Sequence, residues 1–200
     1  MAHAESDMKI RILLAAKKLF ALQGFDGTSV RQICEEAGAN VALVSYYFGG
    51  KEKVFHALFD YFFVGHRLHE VEEQLREPVK GLGLLIREIV WFCMNDPELA
   101  SIIQQEFAAN SQRAPQIQER TLPFWMKIRE MLEKGKQAGR FRYESLDHTL
   151  IFVVSTALSM KKATMLQPLL AGREATVEET AEYACLFIMR ALGAADGGEG

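Results

Sequence analysis

The sequence predicts an all-α protein of about nine helices, with a helix-turn-helix domain at the N-terminus (1–52) and a larger helical domain behind it (53–200). Three observations carry that expectation. Apolar residues recur three and four apart along the chain, and no stretch alternates as a strand would. Residues that start and stop helices recur between the apolar stripes: Ser, Thr, Asn and Asp before them, Gly and Pro after them. Two short segments with apolar faces also meet at Gly38, with Asn40 ready to cap the second.

Taken in order, Ile12, Ala16, Leu19 and Phe20 define the first helix, which stops at Gly24, while Met1 to Glu5 read as loose. Thr28 or Ser29 is placed to cap a short second helix whose inner face is Val30, Ile33, Cys34 and Ala37. Gly38 ends it, and Asn40 opens the third helix, which runs to Phe48 and the double glycine Gly49-Gly50. Val54, Phe55, Leu58 and Phe62 then predict a long fourth helix from near Lys51 toward Arg76, stopped by Pro78. Leu82 to Met94 reads as the fifth, and Asp96-Pro97-Glu98 supplies the start of the sixth. A seventh is expected at about 116 to 138, an eighth from a Ser145 cap to Leu166, and a last at 177 to 192 behind the capping box Thr176 and Glu179.

Composition narrows the class. The chain has 200 residues, 49% of them hydrophobic and 24% charged, enough to bury a substantial core. Its three cysteines, Cys34, Cys93 and Cys185, lack any disulfide or zinc spacing, which suits a reducing cytoplasm. The apolar runs fall short of the roughly 20 residues of a membrane span, so a soluble protein is expected. Formal charge is −3, and residues 1–60 are neutral: Lys9, Arg11, Lys17, Lys18, Arg31, Lys51 and Lys53 balance Glu5, Asp7, Asp26, Glu35, Glu36, Glu52 and Asp60. Any nucleic-acid contact must therefore come from local placement of cations.

The third helix is where such placement is expected. If Val44 and Phe48, four apart, face the core, then Val41, Ala42, Ser45 and Tyr46 face outward. In a helix-turn-helix the second helix enters the major groove, so outward tyrosines are suited to pair a phenol hydroxyl with phosphate and a ring with sugar or a thymine methyl. Lys51, in the first turn of the next helix, is an awkward cation beside a positive helix end and is expected to meet phosphate there.

Residues 9 to 55 resemble the DNA-binding domain of TetR-family transcriptional regulators, through Ile12-Leu13-Leu14-Ala15-Ala16, Leu19-Phe20, Gly24-Phe25, Gly27-Thr28-Ser29-Val30, Ile33, Ala37-Gly38, Tyr46-Tyr47-Phe48 and Lys51-Glu52. The resemblance implies a homodimeric repressor that binds double-stranded DNA at a palindromic operator, is released by a small-molecule effector, and works in the cytoplasm on the nucleoid. It also implies DNA contacts at Thr28, Arg31, Asn40, Val41, Ala42, Ser45, Tyr46, Tyr47 and Lys51. Three positions depart from the family's habit: Val41 stands where a polar or basic residue is common, Ser45 where tyrosine is, and Tyr47 where histidine is. The stretch from Asn40 to Lys51 is also similar to the RefZ-like branch of the family, which implies an alternative role as a DNA-bound interaction protein acting on the cell-division machinery.

Two further sets of residues follow. Leu150, Val153 and Ala157 in the eighth helix, and Ala181, Ala184, Ile188 and Ala191 in the last, form seams suited either to packing inside one subunit or, as expected for at least part of them, to pairing two. Trp91, Met94, Phe107, Trp125, Phe152 and Met160 supply aromatic and thioether surface where this family builds its effector cavity. No metal or cofactor is expected: His66, His69, Glu70 and Glu73 read as a solvated helix face. No enzymatic activity is expected either, since Ser159 and Lys162 form a Ser-x-x-Lys spacing without the motifs that accompany it in acyl-enzymes.

Overall fold

Ile12, Leu13, Ala16 and Phe20 line the buried stripe of the first helix, and the fold of the N-terminal part is built on it. The computed structural model describes residues 2–63, 71–159, 166–169, 172 and 175–194. Among them every long regular element is a helix: α1 (Ala2–Gln23), α2 (Val30–Ala37), α3 (Val41–Phe48), α4 (Lys51–Phe62), α5 (Pro78–Asn95), α6 (Pro97–Ala108), α7 (Ala114–Gln137), α8 (Leu146–Leu158) and α9 (Val177–Ala191). The chain divides into two compact units, one of residues 1–64 and 97–120, the other of residues 65–96 and 121–200.

In the first unit α1 packs against α2, α4 and α6. Its centre is aromatic. Phe20, Phe25 and Phe55 stand with ring centroids 5.3 to 5.7 Å apart, and Phe59 continues the cluster 5.4 Å from Phe55. Burying each ring contributes about 2 kcal/mol, with edge-to-face packing adding to it. Leu99, Ala100 and Ile102 bring the buried face of α6 into the same unit.

In the second unit α5 lies along α9 and against α8. Small residues set the approach: a Cβ added at Gly83 would stand 3.3 Å from the Cys185 sulfur, and Ala181 and Ala184 face inward beside it. The seam residues Val153, Ala157, Ala181, Ala184 and Ile188 are consequently buried within a single chain, Leu150 is half-buried, and only Ala191 is exposed. The seams record burial by neighbouring helices of the same subunit. A different face of α8 and α9 meets solvent, bearing Ile151, Phe152, Tyr183 and Phe187.

Four helix boundaries differ from expectation. The backbone of α1 is helical from Ala2, where a loose end was expected. α4 ends at Phe62, with Phe63 extended at φ −81° and ψ 125°, because Val64 and Gly65 next in line are weak helix formers. Pro78 begins α5 instead of ending α4: a first-turn proline forfeits no bond, and the Glu77 carboxylate accepts from the N–H groups of Val79 and Lys80 at 3.2 and 2.6 Å. α8 closes at Leu158 instead of Leu166, where the Ser159 hydroxyl turns back to donate to the Thr156 carbonyl at 2.7 Å. The last helix starts as expected, with both bonds of the Thr176–Glu179 capping box formed.

Candidate nucleic-acid interface

Two well-capped short helices make the site. Ser29 and Gln32 form a capping box at the start of α2, and Gly38, at φ 63°, ends it in the left-handed conformation that costs glycine nothing. The Asn40 side-chain oxygen accepts from Leu43 N–H at 2.9 Å to open α3, and Gly49, at φ 77°, ends it. α2 anchors through Ile33, Cys34 and Ala37 and α3 through Val44, and Glu36 on α2 also pairs with Lys18 of α1 at 2.6 Å. Burial also pushes the Cys34 thiol above its ordinary range, which keeps it a neutral apolar anchor.

On α3 the outward row is the one the spacing predicts. Val41, Ala42, Ser45 and Tyr46 are exposed, Tyr46 at 76%. Tyr47 is half-buried: its ring packs at 5.2 Å on Tyr46, and the Lys9 ammonium stands 5.4 Å from its centroid. Asn40 is exposed but engaged as the cap. Arg31 projects from α2 and pairs with Glu35 of its own helix at 3.2 Å, a surface contact of small energy that leaves the guanidinium easy to recruit.

Two residues expected at DNA are turned inward. Thr28 is 2% exposed, its hydroxyl donating to the Gly24 carbonyl at 2.8 Å and accepting from the Gln23 amide at 3.2 Å. Lys51 donates from Nζ to the Phe25 carbonyl at 2.9 Å and the Thr28 carbonyl at 2.8 Å, with the Phe25 ring 4.1 Å away. Its ammonium clips the α1–α2 turn to the start of α4. The cations that do surround α3 leave no periodic signature in the sequence, because their register against α3 is a tertiary matter. Lys9 lies over Tyr47, the Arg11 guanidinium lies against Gly38 at the turn between α2 and α3, and the Lys53 side chain lies beside Gly49 at the end of α3. Their presence in the first 60 residues was the one available signal.

The expected effector residues are dispersed. Trp91, Phe107 and Phe152 face solvent, Met94 and Trp125 are half-buried, and Met160 lies outside the described residues, as do His66, His69 and Glu70. Phe107 belongs to the first unit, and Trp91, Trp125 and Phe152 to the second. A polar cleft of about 420 Å³ in the second unit has different walls: Glu72, Glu73, Leu75, Arg76, Lys127, Glu130 and Lys134. There Glu130 accepts from Lys127 and Lys134, both at 2.6 Å, and these two bonds hold its carboxyl below the ordinary glutamate range.

A helix-turn-helix whose second helix offers an uncommitted face, bordered by cations, is the reading head of a DNA-binding transcriptional regulator. Residues 12–58 match the family model described as bacterial regulatory proteins, tetR family. The chain is 28% identical over 155 residues to the HTH-type transcriptional repressor NicS of Pseudomonas putida strain KT2440, covering 72% of this chain and 71% of that protein. It is likewise 28% identical over 171 residues to the probable HTH-type transcriptional regulator YttP of Bacillus subtilis strain 168, covering 80% of this chain and 78% of the relative. The crystal structure of HlyIIR, a hemolysin II transcriptional regulator, superposes with a TM-score of 0.77 at 26% identity, over 94% of this chain and 98% of that one. Among the described residues no helix is long and apolar enough to cross a membrane.

Proposed function

We propose that the protein is a dimeric repressor that reads a palindromic operator with α3 and leaves it when a small effector binds. The observation that carries this reading is the exposed row Val41, Ala42, Ser45 and Tyr46, bordered by Lys9, Arg11 and Lys53. Val41 and Ala42 suit thymine methyl groups, Ser45 offers a hydroxyl to a base edge, and the Tyr46 phenol and the cations suit phosphate. With little hydrogen-bonding capacity on the row, shape and deformability of the site carry much of the specificity.

Dimerisation is supported by the solvent face of α8 and α9. Ile151, Phe152, Tyr183 and Phe187 are large apolar side chains, each more than half exposed, and Phe152 and Phe187 border a shallow apolar groove with Thr156 and Ala191. Apolar surface of this kind on two neighbouring helices is suited to a four-helix contact with a second copy. Two reading heads would then engage half-sites one turn apart, roughly 34 Å. Repression is the activity named for NicS. The charged cleft beside Glu130 has the volume of a small-ligand site, and an effector acts by preferring the dimer whose heads are wrongly spaced. Such a repressor works at the nucleoid, in the cytoplasm.

Selection of bound fragments from the source genome tests this, followed by gel shifts on the recovered site. Tyr46→Ala is expected to weaken binding about tenfold, within the range of one good DNA contact, and Phe187→Glu to yield a monomer by light scattering. Full affinity in Tyr46→Ala, or a monomeric wild type on the recovered DNA, would overturn the corresponding part.

A further inference from the structure

Arg113, between α6 and α7, has only 12% of its side chain exposed and meets three carboxylates. Its Nε donates to Glu106 at 2.9 Å, a residue at the end of α6 that is itself 7% exposed and also accepts from the Ser111 hydroxyl. Its Nη2 lies 3.4 Å from Asp26 and its Nη1 4.0 Å from Glu52. The guanidinium carbon stands 4.0 Å from the Phe25 ring centroid, so that ring has both Arg113 and Lys51 against it. A second tie lies nearby, the Gln105 amide donating to the Ala21 carbonyl at 2.8 Å.

The placement of those partners matters more than their number. Asp26 lies four residues before α2 begins at Val30, and Glu52 four residues after α3 ends at Phe48. One guanidinium thus grips the entry and the exit of the helix-turn-helix and fastens both to the end of α6. A planar fork reaches carboxylates in several directions at once, as an ammonium does not.

Building on the DNA-reading assignment, we infer that Arg113 is the positioning residue of the reading head: it sets the pose of α2 and α3 from the end of α6 without touching DNA. Removing one partner of the buried Arg113–Glu106 pair strands the other charge, whereas replacing both with apolar side chains of similar volume is close to neutral.

The decisive variant is Arg113→Met with Glu106→Leu, which removes the latch without stranding a buried charge and is expected to keep the chain folded by circular dichroism. Two readouts follow in the full-length protein. Amide exchange in residues 29–48 is expected to quicken about fivefold, with α5 and α9 unchanged, because local opening is set by local ties. Affinity for the recovered DNA site is expected to fall about tenfold, a usual size for such coupling, with the slope of log K against log salt unchanged because no phosphate contact is lost. Unchanged exchange in the folded variant overturns the inference, as does a slope reduced by about 1, which would place Arg113 on a phosphate. If the wild type selects no DNA, the repressor reading fails while the exchange measurement still decides the latch.

Discussion

Lys51→Ala separates a structural cation from a DNA contact. By position Lys51 belongs to the phosphate-gripping set, yet its ammonium donates to the Phe25 and Thr28 carbonyls at 2.9 and 2.8 Å. Each bond from a charged donor contributes about 1.5 kcal/mol at the lower end of the usual range, so two give about 3 kcal/mol. The site is half-buried, and the Phe25 carbonyl keeps a second donor in the Thr28 N–H at 3.1 Å, which brings the figure nearer 2 kcal/mol. For a chain of this length that lowers Tm by about 4 to 8 °C. Calorimetry measures this loss, and gel shifts well below Tm, repeated over a range of salt, measure the DNA term. Lost phosphate contact would reduce the salt slope by about 0.9, whereas an internal clip leaves it unchanged. Unaltered Tm with a reduced slope would refute the reasoning and return Lys51 to the DNA.

Two other positions give independent tests. A Cβ at Gly135 in α7 would overlap the ring of buried Phe141, which folds back over the helix end, so Gly135→Ala is expected to cost about 3 kcal/mol in denaturant unfolding, near the top of the overpacking range. Glu130 has its carboxyl held low by Lys127 and then Lys134, so its contribution is present above the ordinary glutamate range and is lost as pH falls through the lowered value. Urea midpoints of Glu130→Gln are therefore expected to fall slightly below wild type at neutral pH and to coincide with it in strong acid, the effect being small at a partly exposed site.

Much of this molecule was legible because it is local. Caps, left-handed glycines and a stripe of period 3.6 act within four residues, so Ser29, Gly38, Asn40, Gly49 and the Thr176 box announced their helices directly. The outward row of α3 was legible for the same reason, since Val44 leaves few choices for its neighbours. The start of α5 was less so, although its cap is equally local: a proline can stop one helix or open the next, and the Glu77 carboxylate reaching forward to Val79 and Lys80 decides for the second.

What the sequence by itself determined is which residues are apolar, where helices begin, and that a helix-turn-helix lies near the N-terminus. Only the tertiary structure decided which surface covers each stripe. Ala184 and Ile188 could serve a partner subunit or α5 equally well, because periodicity records burial without naming the neighbour. Thr28 and Lys51 turned inward, and Lys9 and Arg11 came to border α3, through packing of elements distant along the chain. Arg113 and Asp26, 87 residues apart, share no local pattern at all. Their meeting follows from α6 docking on α1, a long-range contact whose energy resides in shape and burial and leaves no short-range signature to read.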